Sequence, residues 1–154
     1  MKETVPPNKE TILQLRRVFS APREKVFAAW TDPEQMKKWI IPEQGFTVPA
    51  VEVDFRVGGK YRIEMLSPEG VCHTTTGQYR KIVVPEKLVF TWFWENRPEE
   101  GETLVTLEFY EQGNATEVVL THELFQNEAV RNDHTKGWSG ALGQLAKFLE
   151  EKRP

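Results

Sequence analysis

The amino-acid sequence predicts an α+β fold in which an antiparallel sheet of about seven strands curves around one long carboxy-terminal helix. Two apolar periods lead to this prediction. Between residues 46 and 125, apolar and polar residues alternate, with short turn sequences between the runs, as is typical of strands with one buried face. Beyond residue 127 the apolar residues recur at helical spacing, and such a helix can cover the apolar face of the sheet.

The amino-terminal part of the domain predicts one strand followed by two short helices. The run TILQLRRVF is apolar and rich in branched side chains and ends before Pro22, which favours a strand. Apolar residues at helical spacing follow, and residues 32–35 combine an N-cap, a first-position proline and a capping-box glutamine. The second helix should end near Trp39, because Pro42 follows and the residue before a proline avoids helical angles.

Five turn sequences divide residues 46–125 into successive strands. They are Gly-Gly at residues 58–59, SPEG, VPEK, NRPEEGE and EQGNATE. Strands joined by such short turns pair antiparallel, so a meander is expected. One face of this sheet is strongly apolar, and two strands supply its most distinctive side chains: Phe90, Trp92, Trp94, Val118, Leu120 and His122.

The last helix has one apolar stripe, formed by Trp138, Ala141, Leu142, Leu145, Phe148 and Leu149. Starting near Asn127, it would span about 24 residues, or roughly 36 Å. A helix about 10 Å wide cannot cover a whole curved sheet. We therefore expect an internal apolar cavity beside it.

Three glycines, Gly137, Gly140 and Gly143, lie within this helical pattern. Each costs about 1 kcal/mol relative to alanine. They either admit a loop close to the helix backbone or soften the helix. We favour the second interpretation, in which the first half of the helix flexes over the mouth of the cavity.

Length and composition predict one domain over residues 12–154, after a flexible tail at residues 1–11. The net charge is −3 and basic residues are scattered among acidic ones, which argues against nucleic acid and anionic membranes as partners. No apolar run of about 18 residues and no secretory signal occur, so a cytoplasmic location is expected. The single cysteine, Cys72, cannot form an internal disulfide or hold zinc alone.

Aromatic residues and one histidine are the candidate ligand-binding residues, because large aromatics with a few polar tips line apolar pockets. They are Trp39, Tyr79, Phe90, Trp92, Trp94, His122 and Trp138. His122 has two interpretations: a core histidine paired with a backbone or hydroxyl group, or a polar anchor that orients a ligand. His134 lies where the last helix begins and is interpreted as a solvated or capping group. The sequence contains no recognisable catalytic pair, metal-spaced histidine cluster or phosphate loop, so no catalytic residue, metal or cofactor is assigned.

Several segments, taken in order, resemble a known family: SAPREKVFAAWTDPEQMKKW, VDFRVGGKYRIEM, GQYRKIVVPEKLVFTWFW, VTLEFYEQGNATEVVLTHELF and KGWSGALGQLAKFL. This family is named after the activator of the ninety-kilodalton heat-shock chaperone ATPase and belongs to the START-like, or SRPBCC, superfamily. The resemblance covers residues 12–150. It implies a helix-grip domain with an internal apolar cavity.

Three functions follow as hypotheses. The first is noncatalytic binding of an apolar or amphipathic small molecule, with His122 and Tyr79 as polar anchors. The second is a cyclase-type enzyme that acts on an aromatic or polyketide-like substrate and needs an acid or base in its pocket. The third is a chaperone-accessory module that binds another protein through an exposed apolar patch. A homodimer formed through an exposed sheet edge is a further expectation.

Overall fold

Seven strands and three α-helices make up residues 10–151, the part of the chain that this computed structural model describes. The strands are β1 (Ile12–Phe19), β2 (Thr47–Val53), β3 (Lys60–Leu66), β4 (Cys72–Val83), β5 (Lys87–Trp94), β6 (Thr103–Gln112) and β7 (Ala115–Glu123). The helices are α1 (Arg23–Thr31), α2 (Pro33–Trp39) and α3 (Glu128–Glu151), and a short 3-10 turn spans Pro98–Glu100. The predicted α+β fold is confirmed, and most of the predicted tail, residues 1–9, lies outside the described residues.

All seven strands form one antiparallel sheet in the order β1-β7-β6-β5-β4-β3-β2. Strands β2 to β7 are neighbours in sequence order, as the short turns predict. β1 pairs with β7, where Leu15 lies opposite Leu120. Register irregularities occur in β2 between Thr47 and Ala50 and in β4 between Tyr79 and Lys81, and such bulges bend a strand.

The two short helices meet at Asp32. Its side chain accepts hydrogen bonds from the Glu34 backbone nitrogen at 3.0 Å and from Gln35 Nε2 at 3.1 Å, which caps the first turn of α2. The Trp39 indole donates to the Ala29 carbonyl at 2.8 Å. This bond holds the end of α2 against α1.

The core lies between the sheet and α3. The buried side chains of α3 are His134, Trp138, Ala141, Leu142, Leu145, Phe148 and Leu149. The apolar ones among them join one cluster with inward-facing residues of the sheet such as Leu107 and Leu120, both fully buried. None of the helices in the described range is long and apolar enough to cross a membrane.

The segment between α2 and β2 contacts α3 at Gly140. A Cβ atom built on Gly140 would lie 2.0 Å from the Pro42 carbonyl oxygen, whereas one built on Gly143 would meet nothing within 4 Å. At Gly140 the structure therefore supports close approach of another segment, and softening of the helix stays a prediction. The missing side chain of Gly140 admits the backbone of a neighbouring segment, which is the alternative that the sequence left open.

Candidate binding pocket

A pocket of about 420 Å³ opens at the first half of α3. Its walls come from α3, the segment between α2 and β2, the end of β3, the start of β4, the end of β5 and the segment from Arg97 to Glu100. The order of the sheet explains this meeting, because β4 and β5 are adjacent strands. We refer to this space as the α3 pocket.

Three tryptophans line the inner wall of the α3 pocket. Trp92 and Trp94 come from β5, and Trp138 comes from α3. The Trp92 ring centroid lies 5.1 Å from that of Trp138 and 5.5 Å from that of Trp94. Phe46 and Met65 extend this apolar lining. These tryptophans were expected to line an internal apolar cavity. The structure places them at this open pocket instead, and the void on the other side of Trp92 and Trp138 measures only about 20 Å³.

The rim of the α3 pocket is charged and centres on Arg97. Its guanidinium lies over the Trp94 ring, with Cζ 4.5 Å from the centroid, as in cation–π contacts. Arg97 Nε donates to Glu100 Oε2 at 2.9 Å, and Arg97 Nη1 lies 3.1 Å from His73 Nδ1. Since a guanidinium only donates, His73 Nδ1 is the acceptor. Partial burial, and then the charge of Arg97, lower the pKa of His73.

His122 lies behind this wall and does not line the pocket. It is fully buried. Its Nδ1 accepts a hydrogen bond from the Trp138 indole at 3.0 Å, and its Nε2 lies 2.7 Å from Thr103 Oγ1. The Thr103 hydroxyl donates to the Trp92 carbonyl at 3.2 Å, so its oxygen accepts from the His122 Nε2–H. One ring thereby connects two tryptophans of the pocket.

His134 is a buried member of the site, which corrects the expectation of a solvated or capping group. Only 9% of its surface is exposed. Its Nε2 accepts from the Trp94 indole at 2.8 Å, and its Nδ1 donates to the Val130 carbonyl at 2.9 Å. The position faces inward because α3 begins at Glu128, six residues earlier, so His134 falls on the buried face one turn before Trp138.

Burial favours the neutral form of both histidines. Desolvation, and secondarily the nearby His134, lower the pKa of His122 well below its ordinary value. Desolvation also lowers the pKa of His134. Neutral imidazoles can each offer one acceptor nitrogen, as both indole hydrogen bonds require.

The three other predicted residues lie deeper in the core. Trp39 is fully buried against α1. Tyr79 and Phe90 border a separate void of about 20 Å³, which also touches Trp92 and Trp138. Burial raises the pKa of Tyr79 above its ordinary value. The structure therefore brings Trp92, Trp94 and Trp138 to the α3 pocket. It places Trp39, Tyr79 and Phe90 behind the pocket.

Sequence reasoning did not select the residues of the rim. Arg97 and Glu100 belong to NRPEEGE, which was interpreted only as a turn. His73 was not among the candidate residues either. An apolar period does not identify polar side chains as part of a pocket. Only the fold shows that these three residues lie beside Trp94. The described residues contain no group of three or more His, Cys, Asp or Glu side chains that could hold a metal ion.

An antiparallel sheet that packs on a long carboxy-terminal helix, with two short helices after the first strand, is the helix-grip fold of START-like proteins. Residues 20–150 match the sequence pattern of the activator of Hsp90 ATPase homolog 1-like proteins. The chain belongs to this family.

Solved structures agree with this assignment. A protein from Chromobacterium violaceum is 30% identical over 91% of this chain and 97% of its own, with a TM-score of 0.83. An AHSA1 protein from Silicibacter pomeroyi is 26% identical over 92% of this chain and 99% of its own, with a TM-score of 0.81. A search among curated proteins found no match.

Proposed function

We propose that the protein binds an apolar or amphipathic small molecule in the α3 pocket without transforming it. The observation that carries this proposal is a space of about 420 Å³ lined by three tryptophans. Small-molecule sites commonly measure about 300–1,000 Å³ and are lined by aromatic side chains with a few polar groups. A START-like fold is consistent with ligand binding.

The polar groups around the pocket support an amphipathic ligand. Arg97 is held in place by Trp94 and Glu100, so binding would cost little of its conformational entropy. A guanidinium carries five N–H donors, so Arg97 can donate to an acceptor group of the ligand while the tryptophans contact its apolar part.

Two alternatives remain hypotheses. A cyclase would need an acid or base that faces its substrate. His122, the histidine predicted from the sequence, has both nitrogens engaged behind the pocket wall, whereas His73, Glu43 and Asp133 do line the pocket. A chaperone-accessory role is supported by the family name, which refers to Hsp90 ATPase activation. Neither alternative is favoured by a contact within the described residues, so we retain ligand binding as the proposal.

Two matched substitutions on α3 test the proposal. Gly137 lines the α3 pocket, and a Cβ there would make only an ordinary 3.6 Å contact with Pro42, whereas a Cβ at Gly143 would meet nothing. Gly137→Leu therefore places a side chain at the pocket, and Gly143→Leu makes the same exchange away from it. The probe is 1-anilinonaphthalene-8-sulfonate, an aromatic amphiphile, titrated by fluorescence.

We expect one probe to bind per chain, Gly137→Leu to weaken binding about tenfold through steric overlap, and Gly143→Leu to leave it unchanged. Native mass spectrometry of gently purified protein complements the titration, because a co-purified molecule would identify the ligand class. Equal binding by the two variants, or none by the unmodified chain, would contradict the proposal.

A further inference from the structure

Two indole–imidazole hydrogen bonds join the sheet to α3 at the α3 pocket. Trp94 on β5 donates to His134 on α3 at 2.8 Å, and Trp138 on α3 donates to His122 on β7 at 3.0 Å. The donors and acceptors therefore alternate across the interface. Both indoles are walls of the pocket, and both imidazoles support them from the side.

The outer partners of the two rings assign opposite tautomers. His134 donates through Nδ1 to the Val130 carbonyl, so Nε2 is its free acceptor. His122 donates through Nε2 to Thr103, so Nδ1 is its free acceptor. An indole nitrogen can only donate. Each bond thus exists only while its imidazole is neutral, because a protonated ring would present a second N–H to the indole.

The surroundings make protonation unfavourable inside the folded domain. The His122 and His134 ring centroids lie 5.2 Å apart, and the Phe125 ring lies 4.3 Å from the first and 4.8 Å from the second. Two positive rings at that distance would repel each other with little intervening water.

The charged groups around the pair act in both directions. His134 is influenced by Glu100 in the 3-10 turn, by Arg97 just before it, and by Asp133 on its own helix. The two acids favour a proton on His134, and Arg97 opposes it. The titratable group that acts on His122 is His134 itself, which disfavours a second proton on the pair. His73, the third histidine, faces Trp94 from β4, with ring centroids 6.5 Å apart.

We propose that His122 and His134 are positioning residues, which hold Trp138 and Trp94 as walls of the α3 pocket by accepting their indole hydrogens, and that protonation of these rings releases the walls. The inference rests on the proposed function only in treating the pocket as a binding site. The hydrogen bonds can be tested without any ligand.

Indole N–H exchange in protein labelled with ¹⁵N-tryptophan tests the inference. Trp39 is an internal control, because its indole donates to the Ala29 carbonyl, which does not titrate. The substitution His134→Phe removes the acceptor and keeps an aromatic ring. The substitution His134→Gln keeps an acceptor near the position of Nε2.

At pH 7.5 we expect His134→Phe to speed exchange of the Trp94 indole about tenfold, the effect of losing one hydrogen bond. The Trp138 and Trp39 indoles should be unaffected, and His134→Gln should retain protection. In the unmodified protein, acidification should change the Trp94 and Trp138 signals before the Trp39 signal.

Unchanged Trp94 exchange in His134→Phe would overturn the positioning role. Simultaneous loss of all three indole signals on acidification would overturn the release of the walls. If His134→Phe does not fold, two other measurements test the inference. Acidification of the unmodified protein should change the Trp94 and Trp138 signals before the Trp39 signal, and His134→Gln should keep the Trp94 indole protected; the opposite results would overturn it. If the naphthalene sulfonate probe does not bind the unmodified protein, the proposed function fails while these exchange results stand.

Discussion

Gly140 shows how one atom determines the path of a neighbouring segment. The Pro42 carbonyl oxygen occupies the place where a Cβ on Gly140 would lie, at a separation of 2.0 Å. Backbone atoms on both sides leave no flexible side chain to move aside. Glycine therefore costs helix propensity at this position but permits the contact that forms one side of the α3 pocket.

We predict that Gly140→Ala destabilises the protein by about 2 kcal/mol, because overpacking against backbone costs about 1–3 kcal/mol and outweighs the propensity gained. Gly143→Ala is the matched control and should stabilise by about 0.5–1 kcal/mol, since its Cβ meets nothing. Urea unfolding measures both changes. Stabilisation by both substitutions would show that the Pro42 segment can move away from α3.

Helix α2 is short, and its stability depends on contacts at its two ends. It has only seven residues, too few to be stable by propensity alone. Its Asp32 cap and the Trp39 hydrogen bond to α1 hold its two ends. The segment that follows α2 leads to Pro42 and the pocket, so the position of α2 affects the wall.

For α2 we predict that Asp32→Ala lowers the free energy of unfolding by about 1 kcal/mol, the usual loss for an N-cap. Asp32→Asn should retain most of the stability, because asparagine can also accept from the Glu34 backbone nitrogen. Thermal unfolding followed by circular dichroism distinguishes the two variants. An equal loss in both would indicate that the carboxylate charge, and not the cap, matters.

The stability of the whole molecule should depend on pH, because buried histidine and tyrosine side chains have shifted pKa values in the fold. His122 and His134 have lowered pKa values in the fold, so the unfolded chain binds protons first as the pH falls below about 6.5. Tyr61 and Tyr79 have raised pKa values, so the unfolded chain loses protons first above about 10.

We therefore predict that the free energy of unfolding is largest between these limits and declines on both sides. Below about pH 6.5, the free energy of unfolding should fall by up to about 1.4 kcal/mol per pH unit for each histidine that is protonated only in the unfolded chain. Urea unfolding from pH 5 to 7.5 measures this slope, and His134→Gln should reduce it. A flat profile from pH 5 to 7.5 would contradict the prediction.

Local patterns in the sequence were sufficient for the elements. The turn sequences separated the strands of the meander, and Asn127 marked the start of α3, where its side chain accepts from the Val130 backbone nitrogen at 3.0 Å. Such signals act between residues a few positions apart. For the same reason they could not place His134, whose indole partner Trp94 lies 40 positions away.

The division of the aromatic residues also lay beyond local patterns. Trp39 and Trp138 both occupy apolar positions of helices, yet the first is fully buried against α1 and the second lines the pocket. A helical period identifies the face that is buried but not what it is buried against. The apolar period alone therefore does not predict which of these tryptophans lines the pocket.

The sequence by itself determined the α+β class, the seven strands and the three helices, because apolar period, turn residues and caps act over short distances. Its motifs, taken in order, indicated the family by resemblance. Only the tertiary structure decided which tryptophans form the α3 pocket, that Arg97 borders it, and that Gly140 admits Pro42. These features arise from contacts between residues far apart in the chain. Their geometry exists only after the sheet and α3 have packed together.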